Sequence, residues 1–196
     1  MSEGYIKFNY KWIKSNPINV EKLKEISKWR DRLYNLSLIG SKNKIGYGNI
    51  SIRLQDKAFI ITGSATGNLK KLTQQHYTTV IDYDFTKNFL VCKGPVIASS
   101  ESLTHAAIYE SVSSVNAVIH VHNLSLWKKL LDKIPTTLKA AKYGTPQLAY
   151  DIKRLLKDNA IKKRIIIMAG HKSGILTFGK DLQDAGEIIL ENYNKL

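Results

Sequence analysis

The amino-acid sequence predicts an α/β fold, a three-layer α/β/α sandwich with a mixed central sheet. Short apolar runs typical of strands alternate with amphipathic runs typical of helices, an order that places helices on both faces of one sheet. The early strand candidates follow one another in hairpin-like pairs, which favours a mixed rather than an all-parallel sheet. We expect one domain over residues 1–196, with residues 1–18 as an N-terminal arm packed on the body or on a neighbouring subunit.

The first half of the chain predicts one long helix and four short strands. The helix spans residues 20–39, with Asn19 as its N-cap and Gly40 as its stop. Its stripe at helical spacing consists of Leu23, Ile26, Trp29-Arg30, Leu33 and Leu36. Strand candidates follow at residues 49–54, 58–62, 80–83 and 89–92. A Gly/Ser/Thr loop at 62–67 precedes a helical turn that ends at Leu72.

The second half alternates helices with strands. Helices are predicted at residues 102–111, 125–131, 146–156 and 182–192, and strands at 117–122, 164–168 and 174–178. Pro146 lies in the first turn of its helix, where the missing N–H costs nothing. Because no repeat, low-complexity tract or linker interrupts this order, the second half supports the single-domain prediction.

Composition excludes several classes of protein. No apolar run approaches the ~20 residues of a membrane span, and the N-terminus lacks the pattern of a signal peptide. The single cysteine, Cys92, excludes an internal disulfide and fits a reducing compartment. We therefore expect a cytoplasmic protein with no membrane partner.

The net charge of +14 raises the question of a nucleic-acid partner. Only five of the 30 basic residues are arginines, the residue that base readout and bidentate phosphate contacts favour. The lysines are spread along the whole chain, as on solvated helix faces. We therefore expect no nucleic-acid partner, although the positive field would help to attract a small anionic substrate.

Three histidines at the ends of apolar strand candidates predict a metal site. Side chains alternate faces along a strand, so His120 and His122 project to the same side, ~6.5 Å apart. His171 follows the apolar run 165–169 and adds a third imidazole. Histidines near strands are often only hydrogen-bonded core residues, but polar loops accompany this set. Three imidazoles with an open position indicate a catalytic metal, since structural zinc sites usually fill all four positions.

A carboxylate and several polar loops accompany the histidines. Glu101 follows Ser99 and Ser100 at the start of a predicted helix, where a lone carboxylate would only stabilise the helix dipole. Beside a metal, the same group can act as a general acid/base. The serine hydroxyls and free N–H groups of this helix start suit an anion, as do the glycine-containing loops 46–51 and 62–67.

These motifs, in this order, resemble the class II aldolase/adducin family. The segments that carry the resemblance are Gly48-Asn49-Ile50-Ser51, Ile61-Thr62-Gly63 with Thr66-Gly67, Ser99-Ser100-Glu101, Val118-Ile119-His120-Val121-His122 and Gly170-His171. The resemblance covers about residues 20–193. It implies a three-layer αβα fold, usually a homotetramer, with a divalent metal, normally zinc, held by His120, His122 and His171.

The resemblance also implies a chemistry. Glu101 occupies the position of the acid/base, and the loops that hold the substrate phosphate match Asn49, Thr66-Gly67 and Ser99-Ser100. Members cleave or epimerise sugar phosphates through an enediolate, or dehydrate a related thiosugar phosphate. We expect a zinc-dependent aldehyde-lyase on a small phosphorylated sugar. A 4-epimerase or a dehydratase are the alternatives, and so is a non-enzymatic module like the adducin branch, which has lost the metal ligands that this chain keeps.

The chain departs from the family pattern at three points. Lys172 follows His171 where the family usually has glycine, so we expect a different local turn. Only residues 123–170 separate His122 from His171, fewer than in typical sugar-phosphate aldolases, and the C-terminal tail that supplies a tyrosine in some relatives is missing. Tyr47 and Tyr143 are candidates to replace that tyrosine, and the sequence does not choose between them.

Other proteins with three metal-binding histidines fit less well. Cupins are all-β and place a glutamate a few residues after the His-x-His pair, where this chain has no acid between residues 124 and 129. A zinc hydrolase or hydratase could use the same three ligands to activate water. It would leave the Ser-Ser-Glu and Gly-Asn-x-Ser segments unexplained.

Overall fold

The chain folds around an eight-stranded mixed sheet. The computed structural model describes residues 5–158 and 160–196, so residues 1–4 of the predicted arm lie outside the described residues. The strands are β1 (Asn9–Ile13), β2 (Gly40–Lys42), β3 (Ile45–Tyr47), β4 (Asn49–Arg53), β5 (Phe59–Thr62), β6 (Tyr77–Asp84), β7 (Phe89–Lys93), β8 (Ala117–His122), β9 (Ile165–Ile167) and β10 (Gly174–Gly179). The large sheet has the order β1-β7-β6-β5-β4-β8-β10-β9, and β2 and β3 form a separate hairpin. Within the large sheet, β1 and β7 are parallel and the other neighbours are antiparallel.

Helices cover both faces of this sheet and complete the three layers. Their bounds are α1 (Lys24–Asn35), α2 (Ser102–Ser111), α3 (Leu124–Leu130), α4 (Pro146–Asp158), α5 (Ala160–Lys163) and α6 (Leu182–Tyr193). Buried residues of α2 and α4 pack on one face, here called the α2/α4 face, and those of α1, α3 and α6 on the other, the α1/α6 face. The predicted three-layer α/β/α fold with a mixed sheet is confirmed. None of the described helices is long and apolar enough to cross a membrane.

Strand alternation decides which side chains reach each layer. On β8, Val118 packs in the core of the α2/α4 face, whereas Ile119 and Val121 pack in that of the α1/α6 face. His120 and His122 share the parity of Val118 and therefore project towards α2. Each buried aliphatic side chain contributes ~1.5–3 kcal/mol to folding, so a slip of one residue in register would be strongly unfavourable.

The described part of the N-terminal arm packs on the body as an edge strand. Residues 9–13 run parallel to β7, from Asn9 opposite Phe89 to Ile13 opposite Lys93. The indole N–H of Trp12 donates to the carbonyl oxygen of Gly94 at 2.9 Å. This segment therefore extends the sheet by one strand that the sequence pattern did not predict.

The predicted helix over residues 20–39 is wrong at both ends. A 3₁₀ turn, Val20–Leu23, precedes the α-helix, and Asn19 caps it by accepting a hydrogen bond from the amide of Glu21 at 2.9 Å. The α-helix stops at Asn35, because the chain reverses at Ser37 with a φ of 56°. Gly40 begins β2 rather than stopping the helix. Buried residues after the reversal imitate the helical spacing, which explains the error.

Two local structures after α1 differ from the sequence prediction. The hairpin of β2 and β3 falls in a region predicted as loop, and Asn43 and Lys44 at its tip have φ of 51° and 65°, as type I′ hairpin turns require. The helical turn predicted to end at Leu72 is absent, and residues 67–72 form turns and bends. The nearest helical turn is the 3₁₀ segment Gln74–His76.

Candidate functional site

β8 and the turn before β10 bring three histidines together. His120 and His122 lie on β8, and its antiparallel neighbour β10 begins with Gly174 opposite His122. The turn that leads into β10 is closed by two backbone hydrogen bonds, from the amide of His171 to Met168 and from the amide of Gly174 to His171. This turn places His171 beside the other two imidazoles, with ring centroids 5.2 Å from His120 and 4.7 Å from His122.

Two glycines allow the turn to lie this close. A Cβ on Gly174 would lie 3.1 Å from Cε1 of His120, and a Cβ on Gly170 would lie 2.1 Å from the carbonyl oxygen of Ala141. The residue with a left-handed backbone is Ser173, with a φ of 71°, and not Lys172. Lys172 therefore sits in the turn without the strain that would make glycine necessary at its own position.

The three imidazoles form a donor set suited to a divalent metal. One nitrogen from each lies within 4.8 Å of the others, and Nε2 of His120 lies 3.0 Å from Nε2 of His122. Nδ1 of His120 lies 3.2 Å from the carbonyl oxygen of Ile175. Since a carbonyl only accepts, this contact assigns the proton to Nδ1 and the lone pair to Nε2. Tetrahedral Zn–N bonds of ~2.1 Å place neighbouring nitrogens ~3.4 Å apart, so the donor set fits zinc after small adjustments.

Burial keeps His120 and His122 in the neutral form that binds metal. Desolvation lowers the pKa of His120 to about 4, with His171 lowering it further and Glu101 opposing the shift. Desolvation also lowers the pKa of His122 well below its usual value, assisted by His120 and His171. Because these two rings are neutral near pH 7, few protons have to leave them when a metal binds.

Glu101 is buried against His171 at the start of α2. Its Oε1 lies 3.1 Å from Nδ1 of His171, and the hydroxyl of Thr104 donates to its Oε2 at 2.6 Å. Burial raises the pKa of this carboxyl, but His171, His120 and Thr104 together outweigh burial and lower it to about 2. The carboxylate is therefore ionised, the form that accepts a proton, and it lies beside the proposed metal ligands.

One cavity of about 430 Å³, open solvent included and here called the inner cavity, is lined by all nine residues singled out in the sequence. They are Glu101, the three histidines His120, His122 and His171, and the polar loop residues Asn49, Thr66, Gly67, Ser99 and Ser100. The roles of these residues stay predictions, but their convergence from segments far apart in sequence is a fact of the fold.

Asn49 presents an unpaired polar atom in this cavity. It lies directly opposite His120 across β4 and β8, so the two side chains share a face of the sheet. Its Oδ1 is buried and, within the described residues, has no hydrogen-bond partner. A buried polar group without a partner costs ~1–3 kcal/mol, so this atom is suited to a ligand or an ordered water.

The loop that follows β5 is fixed from within and from behind. The hydroxyl of Thr66 donates to the carbonyl oxygen of Gly63 at 2.9 Å, and a Cβ on Gly67 would lie 2.7 Å from the carbonyl oxygen of Gly40. Behind the loop, the guanidinium of Arg30 donates to the carbonyl oxygens of Thr66, Gly67, Leu69 and Lys70. Arg30 lies on α1 and is almost fully buried, with 1% of its surface exposed.

Aromatic side chains pack on two of the histidines. The ring of Tyr143 stacks on His171 with centroids 4.8 Å apart, and that of Tyr47 lies 5.2 Å from His122. Both tyrosines line the inner cavity. The ammonium of Lys7, from the N-terminal segment, lies 3.5 Å from the ring centroid of Tyr143. Both tyrosines named as candidates from the sequence thus lie at the site.

A buried polar network lies behind the histidines on the α2/α4 face. Oγ of Ser51 lies 2.7 Å from both Nδ1 of His105 and the hydroxyl of Tyr109. Burial, assisted by His120, lowers the pKa of His105 to about 3, and burial raises that of Tyr109 far above its usual value. The network is therefore neutral and connects α2 to β4.

Sequence reasoning missed Arg30 and this network, although each left a signal. Arg30 lies on the apolar stripe of α1, where a charged residue must either reach solvent or be paired. Glu101, His105 and Tyr109 are spaced by four residues and so share one face of α2. A polar series at that spacing on a buried helix indicates a network directed at a site.

Comparisons with known proteins show which sequences this chain resembles. The sequence model described as Class II Aldolase and Adducin N-terminal domain matches residues 41–191. An L-fuculose phosphate aldolase of Methanococcus maripaludis is 30% identical over 154 residues, covering 70% of this chain and 76% of that protein. A 3-oxo-tetronate 4-phosphate decarboxylase of Haemophilus influenzae is 25% identical over 162 residues, covering 72% and 71%.

Solved structures show the same fold. An L-fuculose 1-phosphate aldolase superposes with a TM-score of 0.67 at 20% identity, covering 91% of this chain and 84% of that one. A sugar-phosphate aldolase from Thermotoga maritima also gives 0.67, at 17% identity, with coverage of 89% and 91%. At these identities the likeness concerns the fold.

Proposed function

The chain belongs to the class II aldolase and adducin family, and from that membership we propose that it is a metal-dependent carbon–carbon lyase acting on a small phosphorylated sugar through an enediolate. One observation carries the proposal. Three buried imidazoles with donor atoms within 4.8 Å share a cavity with an ionised glutamate and with polar loops suited to an anion. The name of the Methanococcus relative, an L-fuculose phosphate aldolase, supports a sugar phosphate as the substrate.

The metal is proposed to be zinc, held by His120, His122 and His171. Three imidazole nitrogen donors leave one position for substrate, as in catalytic zinc sites. A bound divalent ion supplies Lewis-acid stabilisation of negative charge on the carbonyl and adjacent hydroxyl oxygens of a sugar. The orientation of His120 by the Ile175 carbonyl is the kind of support that fixes a metal-binding imidazole.

The protein's own groups would bind the sugar and move the proton. Backbone amides and hydroxyls of Thr66, Gly67, Ser99 and Ser100, together with Asn49, would hold the phosphate. When the carbon–carbon bond breaks, the hydroxyl that becomes the aldehyde loses its proton, and the electron pair stays on the carbon beside the carbonyl. That carbon must then take up a proton. Glu101, ionised and buried in the same cavity, is the group we assign to this transfer.

Related reactions on the same intermediate are the alternatives. Epimerisation would recombine the two fragments on the opposite face, dehydration would expel a hydroxyl group, and decarboxylation would release carbon dioxide in place of an aldehyde. The relative named as a 3-oxo-tetronate 4-phosphate decarboxylase favours the last of these as the second candidate. An adducin-like interaction module is less consistent with the site, because the three histidines converge on one point.

The decisive experiment measures metal and turnover together. Purified protein would be assayed with L-fuculose 1-phosphate for aldehyde release, with L-ribulose 5-phosphate for epimerisation and with 3-oxo-tetronate 4-phosphate for carbon dioxide. We expect about one divalent ion per chain and aldehyde release that chelation abolishes. Protein that carries no stoichiometric metal after loading, and turns over none of the three, would contradict the proposal.

Oligomeric state and location complete the proposal. We propose a cytoplasmic homotetramer, the state that the family resemblance implies. Light scattering at micromolar concentration tests the assembly, and a monomer there would contradict it.

A further inference from the structure

A second cavity adjoins the inner cavity on the side of His122. This outer cavity encloses about 700 Å³, open solvent included, and is lined by Lys42, Tyr47, His122, Leu124, Lys172 and Ser173. Tyr47 and His122 line both cavities. These two shared residues place the cavities next to each other at His122.

The outer cavity is cationic, whereas the inner one offers mainly neutral donors. Among the described residues, two lysines and no acidic residue line the outer cavity. Both lysines are exposed, and within the described part of the chain no ion pair includes either of them. Lysine in such a setting acts as a mobile point charge that binds oxyanions without imposing a strict geometry.

The two lysines come from separate segments of the backbone. Lys42 is the last residue of β2, next to the hairpin tip, and Lys172 directly follows His171 in the turn before β10. Lys172 stands where the family resemblance leads one to expect glycine, and its φ is not left-handed. A cation beside the proposed metal ligands is therefore a feature of this chain and not a requirement of the turn.

We propose that the substrate carries a second anionic group, at the end of its carbon chain away from the phosphate, which binds between Lys42 and Lys172. This inference rests on the proposed function and narrows its substrate to a doubly acidic sugar derivative. The phosphate occupies the neutral loops of the inner cavity, the reacting carbons lie at the histidines, and the second oxyanion lies in the outer cavity. A carboxylate or a second phosphate would satisfy the same two ammonium groups.

Matched pairs of ligands test this inference on the metal-loaded protein. Erythronate 4-phosphate and erythritol 4-phosphate differ only in a terminal carboxylate, and ribulose 1,5-bisphosphate and ribulose 5-phosphate differ only in a second phosphate. By calorimetry we expect the doubly anionic member of one pair to bind about tenfold more tightly, since exposed ion pairs are each weak. The favoured pair identifies the group as carboxylate or phosphate. The preference should fall with added salt.

In the double variant Lys42→Met/Lys172→Met, the doubly and the singly anionic ligands should bind about equally well. Metal content and the affinity for the singly anionic ligands should stay unchanged. Lys44→Met/Lys133→Met removes the same charge from exposed sites outside both cavities and should keep the preference. If Lys42→Met/Lys172→Met keeps the preference, the metal or the loops recognise the second anionic group, and the inference is overturned. Equal binding of the two members of each pair by the wild-type protein would also overturn it. Failure of every phosphate to bind would instead contradict the proposed function.

Discussion

Glu101 is held by contacts that a glutamine keeps only in part. Glu101→Gln preserves the shape and a carbonyl oxygen for the Thr104 hydroxyl, but it removes the charge beside His171 and the group that can carry a proton. We expect kcat to fall by ~10²–10⁴-fold with metal still bound, as loss of a general acid/base does. Steady-state kinetics on a metal-quantified sample measures this.

Thr104→Val is the matched control for that change, because it removes one hydrogen bond to Glu101 and leaves the carboxylate in place. Its kcat should fall by less than that of Glu101→Gln. Wild-type turnover in metal-loaded Glu101→Gln would show that another group moves the proton.

Arg30 supports the site from outside the inner cavity. Its guanidinium donates to four carbonyl oxygens of residues 66–70 and so fixes the loop whose other side faces the inner cavity. Arg30→Met leaves those carbonyls unpaired, at ~1–3 kcal/mol for each buried unsatisfied group. We expect inorganic phosphate to bind at least ~10-fold more weakly and the substrate KM to rise, with metal content retained.

Arg32→Met is the control for Arg30→Met, since Arg32 lies on the same helix but is exposed and contacts Trp29. It should leave phosphate binding unchanged. Arg30→Lys keeps one charge in the pocket and should recover part of the affinity. A folded Arg30→Met protein that binds phosphate as wild type does would remove Arg30 from the site.

At the scale of elements, α1 and α6 make a contact that only glycine permits. A Cβ on Gly186 of α6 would lie 2.2 Å from Cζ3 of Trp29 on α1. Glycine to alanine inside a helix normally stabilises by ~1 kcal/mol, whereas overpacking costs ~1–3 kcal/mol. We expect Gly186→Ala to destabilise the protein, measured by denaturant unfolding. The double variant Gly186→Ala/Trp29→Leu should lose less free energy of unfolding than the sum of the losses in the two single variants. If Gly186→Ala stabilises the protein instead, the close contact between Gly186 and Trp29 is contradicted.

Elements with a strong internal pattern could be predicted from sequence. The strand 117–122 and the helix 102–111 have the same bounds in the structure, because continuous burial and clear terminal residues define them locally. The end of α1 could not, since Leu38 and Ile39 are buried by tertiary packing and imitate a further helical turn. Strand β1 also escaped, because its pairing with β7 depends on residues about 80 positions away.

The site residues also divide into those with a recognisable sequence pattern and those whose role depends on tertiary packing. Histidines, Glu101 and the polar loops could be predicted because their chemistry is unusual and their order is specific to a family. Arg30 carries no such motif. Its place on the apolar stripe of α1 indicates a buried charge that needs partners, but those partners lie in a loop about 36 residues later and could not be identified from the local sequence. The outer cavity is lined by Lys42, at the end of β2, and by Lys172, in the turn before β10. Neither lysine indicates this cavity by its own sequence context.

For the molecule as a whole, the histidine triad joins parts of the chain that are distant in sequence. His120 and His122 belong to the centre of the sheet, while His171 belongs to the turn that connects β9 to β10. The three imidazoles and Glu101 are buried together, and α2 and β8 are held in the same core. A ligand to all three rings should therefore stabilise the native state, since the unfolded chain cannot present them together.

We accordingly expect metal binding to raise the global stability of the protein. A ligand at 100 times its Kd adds ~2.7 kcal/mol, equivalent to a Tm increase of ~5–10 °C for a chain of this size. Chelation should lower the Tm of wild type by about that amount, measured by differential scanning calorimetry, and zinc should restore it. His171→Ala should show neither response, while His76→Gln, which lies outside the triad, should respond as wild type does. A metal-induced increase of equal size in His171→Ala would place the ion elsewhere, because the remaining pair on β8 alone would not link the sheet to the turn before β10.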